Sequence, residues 1–184
     1  MPLTPPSAGA VPSAWVRRFL PLIRPGGRVL DLAAGSGRHV RLLREAGYQV
    51  VAADRDTAAL ESGFAGDSAC TIRRIDLEDG GPWRLGDGYD GILVTNYLWR
   101  PVLPHLASAL APQGVLIYET FMLGNERFGR PSNPDFLLRP GELLAAFCDR
   151  LAVIAFEQGA VVAPRPAVIQ RIAAVKGEPG TLPG

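Results

Sequence analysis

The fold of this chain is decided by the stretch Val29-Leu30-Asp31-Leu32-Ala33-Ala34-Gly35-Ser36-Gly37-Arg38-His39. Its apolar beginning predicts a buried strand over residues 28–32, and the residues that follow predict a helix over about 38–46. Between them, Gly35 and Gly37 let the backbone turn sharply with no side chain in the way. The positive end of the helix then points at whatever lies on the turn, which is a common arrangement for binding a nucleoside cofactor.

The rest of the chain alternates between strand-like and helix-like segments. Further strands are predicted at about 49–53, 71–75, 89–96, 115–120, 152–156 and 168–175. One further helix is capped by Ser13, two are predicted at about 57–63 and 101–110, and another begins near 139–142. This alternation indicates a parallel sheet covered on both faces. Only Gly159 to Pro166 joins the last two strands, which is too short for a helical crossover, so that pair is expected to be antiparallel. We therefore predict a single-domain α/β fold, Rossmann-like and doubly wound. Its seven-stranded sheet should be mostly parallel, with an antiparallel strand near one edge.

Length and charge exclude several classes of protein. The chain has 184 residues, with 19 Lys plus Arg against 18 Asp plus Glu. It is long enough for one sizeable core, and its balanced charge gives no field that would draw it to nucleic acid or membrane. No apolar run approaches the roughly 20 residues that span a bilayer, and residues 1–10 lack a signal-peptide pattern. We expect a cytoplasmic protein whose domain covers residues 11–176, between flexible tails at 1–10 and 177–184.

A nucleoside cofactor would bind outside the carboxyl ends of the strands. Asp54, at the end of the second strand, is the expected acceptor for two ribose hydroxyls. These features suit either a dinucleotide or S-adenosylmethionine. Val40 occupies the position where dinucleotide sites favour a third small residue. Asp31 would repel a pyrophosphate but suits the ammonium group of a methionine, so the balance favours S-adenosylmethionine.

The chain resembles the class I S-adenosylmethionine-dependent methyltransferases over roughly residues 11–176. The first motif of that family appears as Asp31-Leu32-Ala33-Ala34-Gly35-Ser36-Gly37, with Ala33 in place of the first glycine. Asp54 matches the ribose-binding acid, Asp76-Leu77 matches the pair that brackets adenine, and residues 89–96 match the fourth-strand motif. The compact form is loosely similar to small bacterial methyltransferases of the tellurite-resistance type. The resemblance implies S-adenosylmethionine as cofactor, bound by Asp31, Ala33, Gly35, Ser36, Gly37, Asp54, Arg55, Asp76, Leu77 and Asn96.

Candidate catalytic residues follow the fourth and fifth strands. Asn96-Tyr97 lies where amino-group methyltransferases of nucleic acids often carry Asn-Pro-Pro-Tyr, although both prolines are absent here. Asn96 could accept a hydrogen bond from an amine, and Tyr97 or Trp99 could stack on a planar group or instead pack under the next helix. Glu119 and Tyr118 are candidate general bases, of which side-chain alternation directs at most one into the site. We predict Asn96, Tyr97 and Glu119 as the catalytic residues.

Two further segments flank the expected site. Residues 122–139 show neither helical nor strand periodicity, and they predict a substrate lid that leaves the carboxyl end of the fifth strand. The alternative is a structural loop pinned by Phe128 and Phe136. Arg38 and Arg41 are expected on a solvated helix face, and His39 either at the edge of the sheet or beside the cofactor. Candidate groups for substrate recognition are Glu119, Glu126, Arg127 and Arg130.

Methyl transfer from a sulfonium is a direct displacement that needs no metal, the two cysteines are expected to be buried reduced thiols, and two histidines cannot supply a zinc cluster. A small-molecule acceptor is the leading hypothesis. Methylation of RNA or protein through the Asn96-Tyr97 face is the second. A dinucleotide-dependent oxidoreductase and a non-catalytic cofactor-binding scaffold are the alternatives from other classes. No oligomeric state is predicted.

Overall fold

The computed structural model describes residues 11–180. The predicted tail at 1–10, and the end of the other tail at 181–184, lie outside this range. The strands are β1 (Arg28–Leu32), β2 (Gln49–Asp54), β3 (Cys70–Arg74), β4 (Tyr89–Thr95), β5 (Leu110–Phe121), β6 (Ala152–Val161) and β7 (Ala167–Val175). The α-helices are α1 (Ala14–Phe19), α2 (Arg38–Glu45), α3 (Ala58–Phe64), α4 (Leu103–Ala109) and α5 (Glu142–Phe147).

These strands form one seven-stranded sheet in the order β3-β2-β1-β4-β5-β7-β6. Strands β1 to β5 run parallel, and β7 is antiparallel to both of its neighbours, β5 and β6. The predicted fold class is confirmed. The short link between β6 and β7 forces the hairpin, as expected from its length. β6 extends to Val161, beyond the predicted end at 156, because its last residues are largely exposed and lose the apolar pattern that the prediction relied on.

Apolar side chains from both faces of the sheet make two cores. On one face, Leu30, Ile92 and Tyr118 pack with α4 and α5. On the other, Val29 and Ile117 pack with α1, α2 and α3. Successive residues of a strand point to opposite faces, so this alternation also fixes the direction of each polar residue at a strand end. Ser13 caps α1 as predicted, since its hydroxyl accepts hydrogen bonds from the amides of Trp15 and Val16.

The segment 122–139 is ordered at its base. Met122 and Leu138 form a β-bridge, and the buried Asn125 accepts a hydrogen bond from the amide of Val168 while donating to the carbonyl of Pro131. The ring of Phe128 is 49% exposed and that of Phe136 is 44% exposed. The alternative prediction, in which these two rings pin the loop, is wrong because a buried amide holds it instead. Across residues 11–180, no helix is both long and apolar enough to cross a membrane.

Candidate functional site

A cleft of about 430 Å³ lies at the carboxyl ends of the parallel strands. It crosses the sheet from the end of β3 to the end of β5, in the order β3, β2, β1, β4 and β5. Neighbouring strands are about 4.8 Å apart, so the cleft is wide enough for an extended nucleoside cofactor with a second molecule beside it. This is the edge of the sheet where the sequence predicts the site.

The glycine turn adjoins the centre of the cleft, which Ala33 lines. Ala33, Gly35 and Gly37 all have positive φ values, of 56°, 55° and 79°. A Cβ atom on Gly37 would lie 2.6 Å from the Phe64 ring and 3.0 Å from Leu60, whereas one on Gly35 would meet nothing within 4 Å. Gly37 is therefore needed for the packing of α2 on α3, and Gly35 only for the backbone conformation. Ala33 carries a side chain in a conformation that usually costs an L-residue about 1–2 kcal/mol.

Asp54 joins this turn to the end of β2. One carboxylate oxygen accepts a hydrogen bond from the Gly35 amide at 2.8 Å, and the other accepts from the Asp56 amide at 3.0 Å. The side chain also lines the cleft. A carboxylate has about four acceptor positions, so Asp54 can hold the turn in place and still accept from two ligand hydroxyls.

Asp31 is a buried carboxylate without a partner. The residue is 1% exposed, and neither of its oxygens accepts a hydrogen bond within the described part of the chain. Burial raises the pKa of Asp31 to about 7, while the positive charge of Arg38 lowers it and the negative charge of Asp54 raises it. The backbone amide of Val40 also lowers this pKa, but it makes no hydrogen bond to either carboxylate oxygen. A buried carboxyl without a partner is costly unless a ligand satisfies it, so the position fits the ammonium group of a bound ligand.

Arg38 does not lie on a solvated helix face, so that prediction is wrong. Its guanidinium reaches across the first turn of α2 to donate to the carbonyl of Val11 at 3.3 Å and to the hydroxyl of Thr95 at 3.5 Å. The side chain is half-buried and close enough to Asp31 to lower its pKa. The sequence does not predict this position of the guanidinium, because a long arginine side chain can extend beyond the helix face on which its Cα atom lies.

His39 is buried beside the cleft and holds the start of α1. Its Nε2 accepts from the Ser13 amide at 3.1 Å, so the proton lies on Nδ1 and is donated to the Thr95 hydroxyl at 3.3 Å. Burial, together with the positive charges of Arg38 and Arg17, lowers the pKa of His39 to about 3. The imidazole is therefore neutral, and both its nitrogens are engaged by the protein.

The end of the cleft at β2 and β3 is polar and acidic. Asp76, Leu77, Arg55 and Glu78 all line it, and Asp76 accepts a hydrogen bond from the Glu78 amide at 2.9 Å. Tyr97 lies opposite. Its pKa is raised by burial and then by the negative charge of Glu78, so it remains a neutral phenol rather than a base. A planar group can therefore lie between Leu77 and Tyr97 at this end.

The segment after β4 is held in an unusual conformation. Asn96 has a φ of 55°, which asparagine tolerates better than most residues. Its backbone N–H donates a hydrogen bond to the carbonyl of Glu119. The hydroxyl of Tyr118 donates to the carbonyl of Tyr97 at 2.9 Å. Asn96 is exposed and lines the cleft. These bonds give the segment a fixed position at the centre of the cleft, and the role of Tyr118 in them was not predicted.

Neither candidate base on β5 faces the cleft. Tyr118 is buried against Phe147, with its pKa raised chiefly by burial. Glu119 faces α1 instead, where one oxygen accepts from the Ser13 hydroxyl at 2.8 Å and the other from Arg171 at 3.1 Å. The prediction of Glu119 as a catalytic residue and as a recognition group is wrong, because both of its carboxylate oxygens are engaged by Ser13 and Arg171 and the side chain does not line the cleft. The alternation itself, with the two side chains on opposite faces, is as predicted.

The end of the cleft at β5 is apolar and aromatic. Its lining is formed by Leu98, Thr120 and Phe121, together with Pro131 and Phe136 from residues 122–139. Two of the predicted recognition groups instead bond within their own loop. Glu126 accepts from the Gly124 amide at 2.8 Å, and Arg127 donates to the Gly124 carbonyl at 3.0 Å. The third, Arg130, is exposed and precedes Pro131.

A family model described as a methyltransferase domain matches residues 8–139. The chain belongs to this methyltransferase family. The match covers the glycine turn, the ends of β2, β3 and β4, and the loop that follows β5. The predicted family and its S-adenosylmethionine-binding fold are therefore confirmed.

Solved structures show the same fold for this methyltransferase. TehB from Haemophilus influenzae superposes with a TM-score of 0.74 at 17% identity, over 90% of this chain and 62% of that one. The 1,6-didemethyltoxoflavin-N1-methyltransferase of Burkholderia thailandensis, solved with 1,6-didemethyltoxoflavin and S-adenosylhomocysteine, gives a TM-score of 0.68 at 18% identity, over 94% of this chain and 80% of that one. At these identities the likeness is one of fold. TehB is of the tellurite-resistance type that the sequence resembles.

A protein-L-isoaspartate O-methyltransferase from Chlorobaculum tepidum is 36% identical over 115 residues, and the match covers 56% of this chain and 49% of that protein. The chain thus spans about half the length of this curated relative. The predicted cofactor residues that line its cleft are Ala33, Asp54, Arg55, Asp76, Leu77 and Asn96. Asp31, Gly35, Ser36 and Gly37 belong to the adjoining strand and turn.

Proposed function

We propose that this protein is an S-adenosylmethionine-dependent methyltransferase that transfers a methyl group by direct displacement to a small-molecule acceptor. The observation that carries the proposal is Asp31, a buried carboxylate that no residue in the described part of the chain satisfies. It adjoins a turn built for close backbone approach and a cleft lined by Asp54. Of the cofactors considered, S-adenosylmethionine brings the cation that Asp31 requires, whereas a dinucleotide brings a pyrophosphate that it repels.

Each part of the cofactor has a partner of suitable chemistry. Asp31 would hold the ammonium group, and Arg38, half-buried at the same end, would hold the carboxylate. Asp54 would accept from the ribose hydroxyls, as its free acceptor positions allow. Leu77 and Tyr97 would contact the two faces of the adenine, with Asp76 and Arg55 at its edge.

When bound, the cofactor supplies an electrophilic methyl group on a sulfonium. The protein then has to align the acceptor and exclude water. The apolar lining at the β5 end, from Leu98 and Phe121, excludes water there. Asn96 offers an amide oxygen that can accept from an acceptor's N–H or O–H group and so orient its lone pair. Because Tyr97 remains protonated and Glu119 faces away, the acceptor must be nucleophilic without a strong base.

A small acceptor is favoured by the size of the cleft and by the balanced charge of the chain, which lacks the basic excess typical of nucleic-acid-binding proteins. Methylation of a protein carboxylate is the second candidate. The partial likeness to a protein-L-isoaspartate O-methyltransferase favours it, although that likeness covers about half of either protein. A protein substrate would have to present one side chain into a cleft whose mouth is narrowed by residues 122–139.

The proposal is tested by transfer of labelled methyl groups from S-adenosylmethionine. The wild-type protein is incubated in parallel with a small-metabolite extract, with total RNA and with an isoaspartyl peptide. We expect label in the metabolite fraction only, and none with Asp54→Ala. The matched control is Glu45→Gln, which changes an exposed acid at the far end of α2 and should behave like the wild type. Label in RNA or peptide alone would replace the small-molecule acceptor, and no label in any fraction would contradict the activity.

A further inference from the structure

The acceptor end of the cleft is defined as the part lined by Asn96, Leu98, Thr120, Phe121, Pro131 and Phe136. These residues contribute two aromatic rings and no charged side chain. The charged groups of the cleft lie at the other end, after β2 and β3, where they are assigned to the cofactor. A molecule that fits the acceptor end is therefore largely planar and apolar where it meets these rings.

An arginine lies next to this end without a carboxylate partner. Arg165, in the connection between β6 and β7, places its guanidinium carbon 5.4 Å from the centre of the Phe121 ring. Phe121 lines the cleft on one side and packs with Leu137 and Ala167 on the other, so it links the cleft to the β6–β7 hairpin. The Arg165 guanidinium thus lies one aromatic side chain away from the acceptor.

Two other arginines near the cleft are already neutralised. Arg171 pairs with Glu119 and Glu157, and Arg100 pairs with Glu142. Within residues 11–180, Arg165 makes no ion pair and no side-chain hydrogen bond. The acids of the adjacent loop, Glu126 and Asp135, are exposed and form no ion pair with it. An unpaired guanidinium stacked over an aromatic ring keeps all its donors available for a bidentate oxyanion.

We propose that the methyl acceptor is a planar aromatic molecule bearing an oxyanion, a carboxylate or a phosphate monoester, and that Arg165 binds this oxyanion. The ring of the acceptor lies against Phe121 and Phe136, and its nucleophilic atom faces Asn96. This proposal rests on the proposed methyltransferase function, and it adds the chemical class of the substrate. Arg165 determines which substrate is bound and does not take part in the reaction, since it contacts the anion and not the reacting atoms.

The test uses the full chain saturated with S-adenosylhomocysteine, whose binding is measured first. Calorimetry then compares 4-hydroxybenzoate and phenyl phosphate with the neutral probes 4-hydroxybenzamide and phenol. We expect at least one anionic probe to bind about three- to tenfold more tightly than its neutral counterpart, as for a single charge-assisted contact at a partly exposed site. The better anionic probe identifies which oxyanion the site prefers.

Variants assign this preference to one residue. Arg165→Gln should remove the preference for the anion while leaving the affinity for S-adenosylhomocysteine and for the neutral probes unchanged. Arg165→Lys should retain part of it. The matched control is Arg41→Gln, which removes another exposed arginine stacked over a phenylalanine, 5.6 Å from the centre of the Phe64 ring and outside the acceptor end. It should behave like the wild type.

Several results would overturn the proposal. Equal binding of anionic and neutral probes, binding of none of them, or an anion preference that survives Arg165→Gln would each contradict it while S-adenosylhomocysteine still binds. Displacement of 4-hydroxybenzoate by a short oligouridine would also contradict it, because the arginine would then serve an RNA backbone. Failure of S-adenosylhomocysteine itself to bind would remove the proposed function and, with it, this inference.

Discussion

The cofactor end of the cleft rests on turns that directly follow β1, β2 and β3, whereas the acceptor end rests on the end of β5 and on residues 122–139. At the cofactor end, polar groups are held by backbone hydrogen bonds, such as that from the Gly35 amide to Asp54. At the acceptor end, aromatic rings lie on or beside a loop that is anchored by buried side chains, among them Asn125 and Leu138. One end is charged and fixed by the sheet, and the other is apolar and fixed by tertiary contacts.

This difference indicates how such a protein can keep one cofactor and change its acceptor. The strand ends cannot move without disturbing the sheet, so the positions of Asp31 and Asp54 are set by the core beneath them. The loop after β5 carries Phe136 and Pro131 on a segment whose exposed residues contribute little to the core. Substitutions at the cofactor end should therefore affect cofactor binding or folding, and those at the acceptor end neither.

The largest effect is expected from Asp54→Ala. It removes the acceptor for the ribose hydroxyls and the partner of the Gly35 amide. Two lost hydrogen bonds to a charged group correspond to about 3 kcal/mol or more, which lowers the affinity for S-adenosylmethionine roughly a hundredfold or more. Calorimetric titration measures this loss, with Glu45→Gln as the control. An unchanged dissociation constant would show that the ribose is recognised elsewhere.

Next in size is the contrast between Gly37→Ala and Gly35→Ala. The first requires Phe64 to move and strains the backbone, which together cost about 2–4 kcal/mol of stability. The second strains the backbone only and should cost about 1 kcal/mol. Urea denaturation of both variants measures the free energy of unfolding. Equal losses would mean that packing beneath the turn does not determine its position.

A pH-dependent effect is expected from Asp31→Asn. Because burial raises the pKa of Asp31 from 3.8 to about 7, the folded protein keeps a proton that the unfolded chain releases. Between about pH 4 and pH 7 this carboxyl therefore lowers the stability as the pH rises, by at most about 1.4 kcal/mol per pH unit. Denaturation at pH 5, 6 and 7 should show Asp31→Asn gaining on the wild type as the pH rises.

The same substitution should change how cofactor affinity depends on pH. The ammonium group of S-adenosylmethionine favours the ionised carboxylate, so binding to the wild type should strengthen from pH 6 to pH 8. Asp31→Asn should bind about tenfold more weakly at pH 8, as for one lost charged contact, and should show a flatter profile. Parallel profiles for the two proteins would place the ammonium group away from Asp31.

The smallest effect is expected from Phe136→Ala. Its ring is 44% exposed and lines only the acceptor end. The affinity for S-adenosylhomocysteine should stay within about twofold of the wild type, and the midpoint of thermal unfolding should hardly change, as for surface substitutions in general. Calorimetry and a melting curve check both values. A large loss of cofactor affinity would show that the two ends are coupled.

Most of the cofactor end could be predicted from the sequence because its residues lie at or just after the end of a strand whose apolar pattern is visible. Asp54 and Asp76 are examples, and the seven-stranded, mostly parallel sheet follows from the alternation of elements and the short last link. Glu119 was mispredicted because its partners are distant in sequence, Ser13 by 106 residues and Arg171 by 52. No local pattern signals such pairs. Arg38 was missed because its reach depends on a side-chain conformation.

The central claim is that this cleft binds S-adenosylmethionine, and calorimetric titration of the wild-type protein with S-adenosylmethionine, S-adenosylhomocysteine and NAD tests it most directly. The account predicts saturable one-site binding of the first two and no measurable heat from NAD. Binding of NAD without any response to S-adenosylmethionine would contradict it.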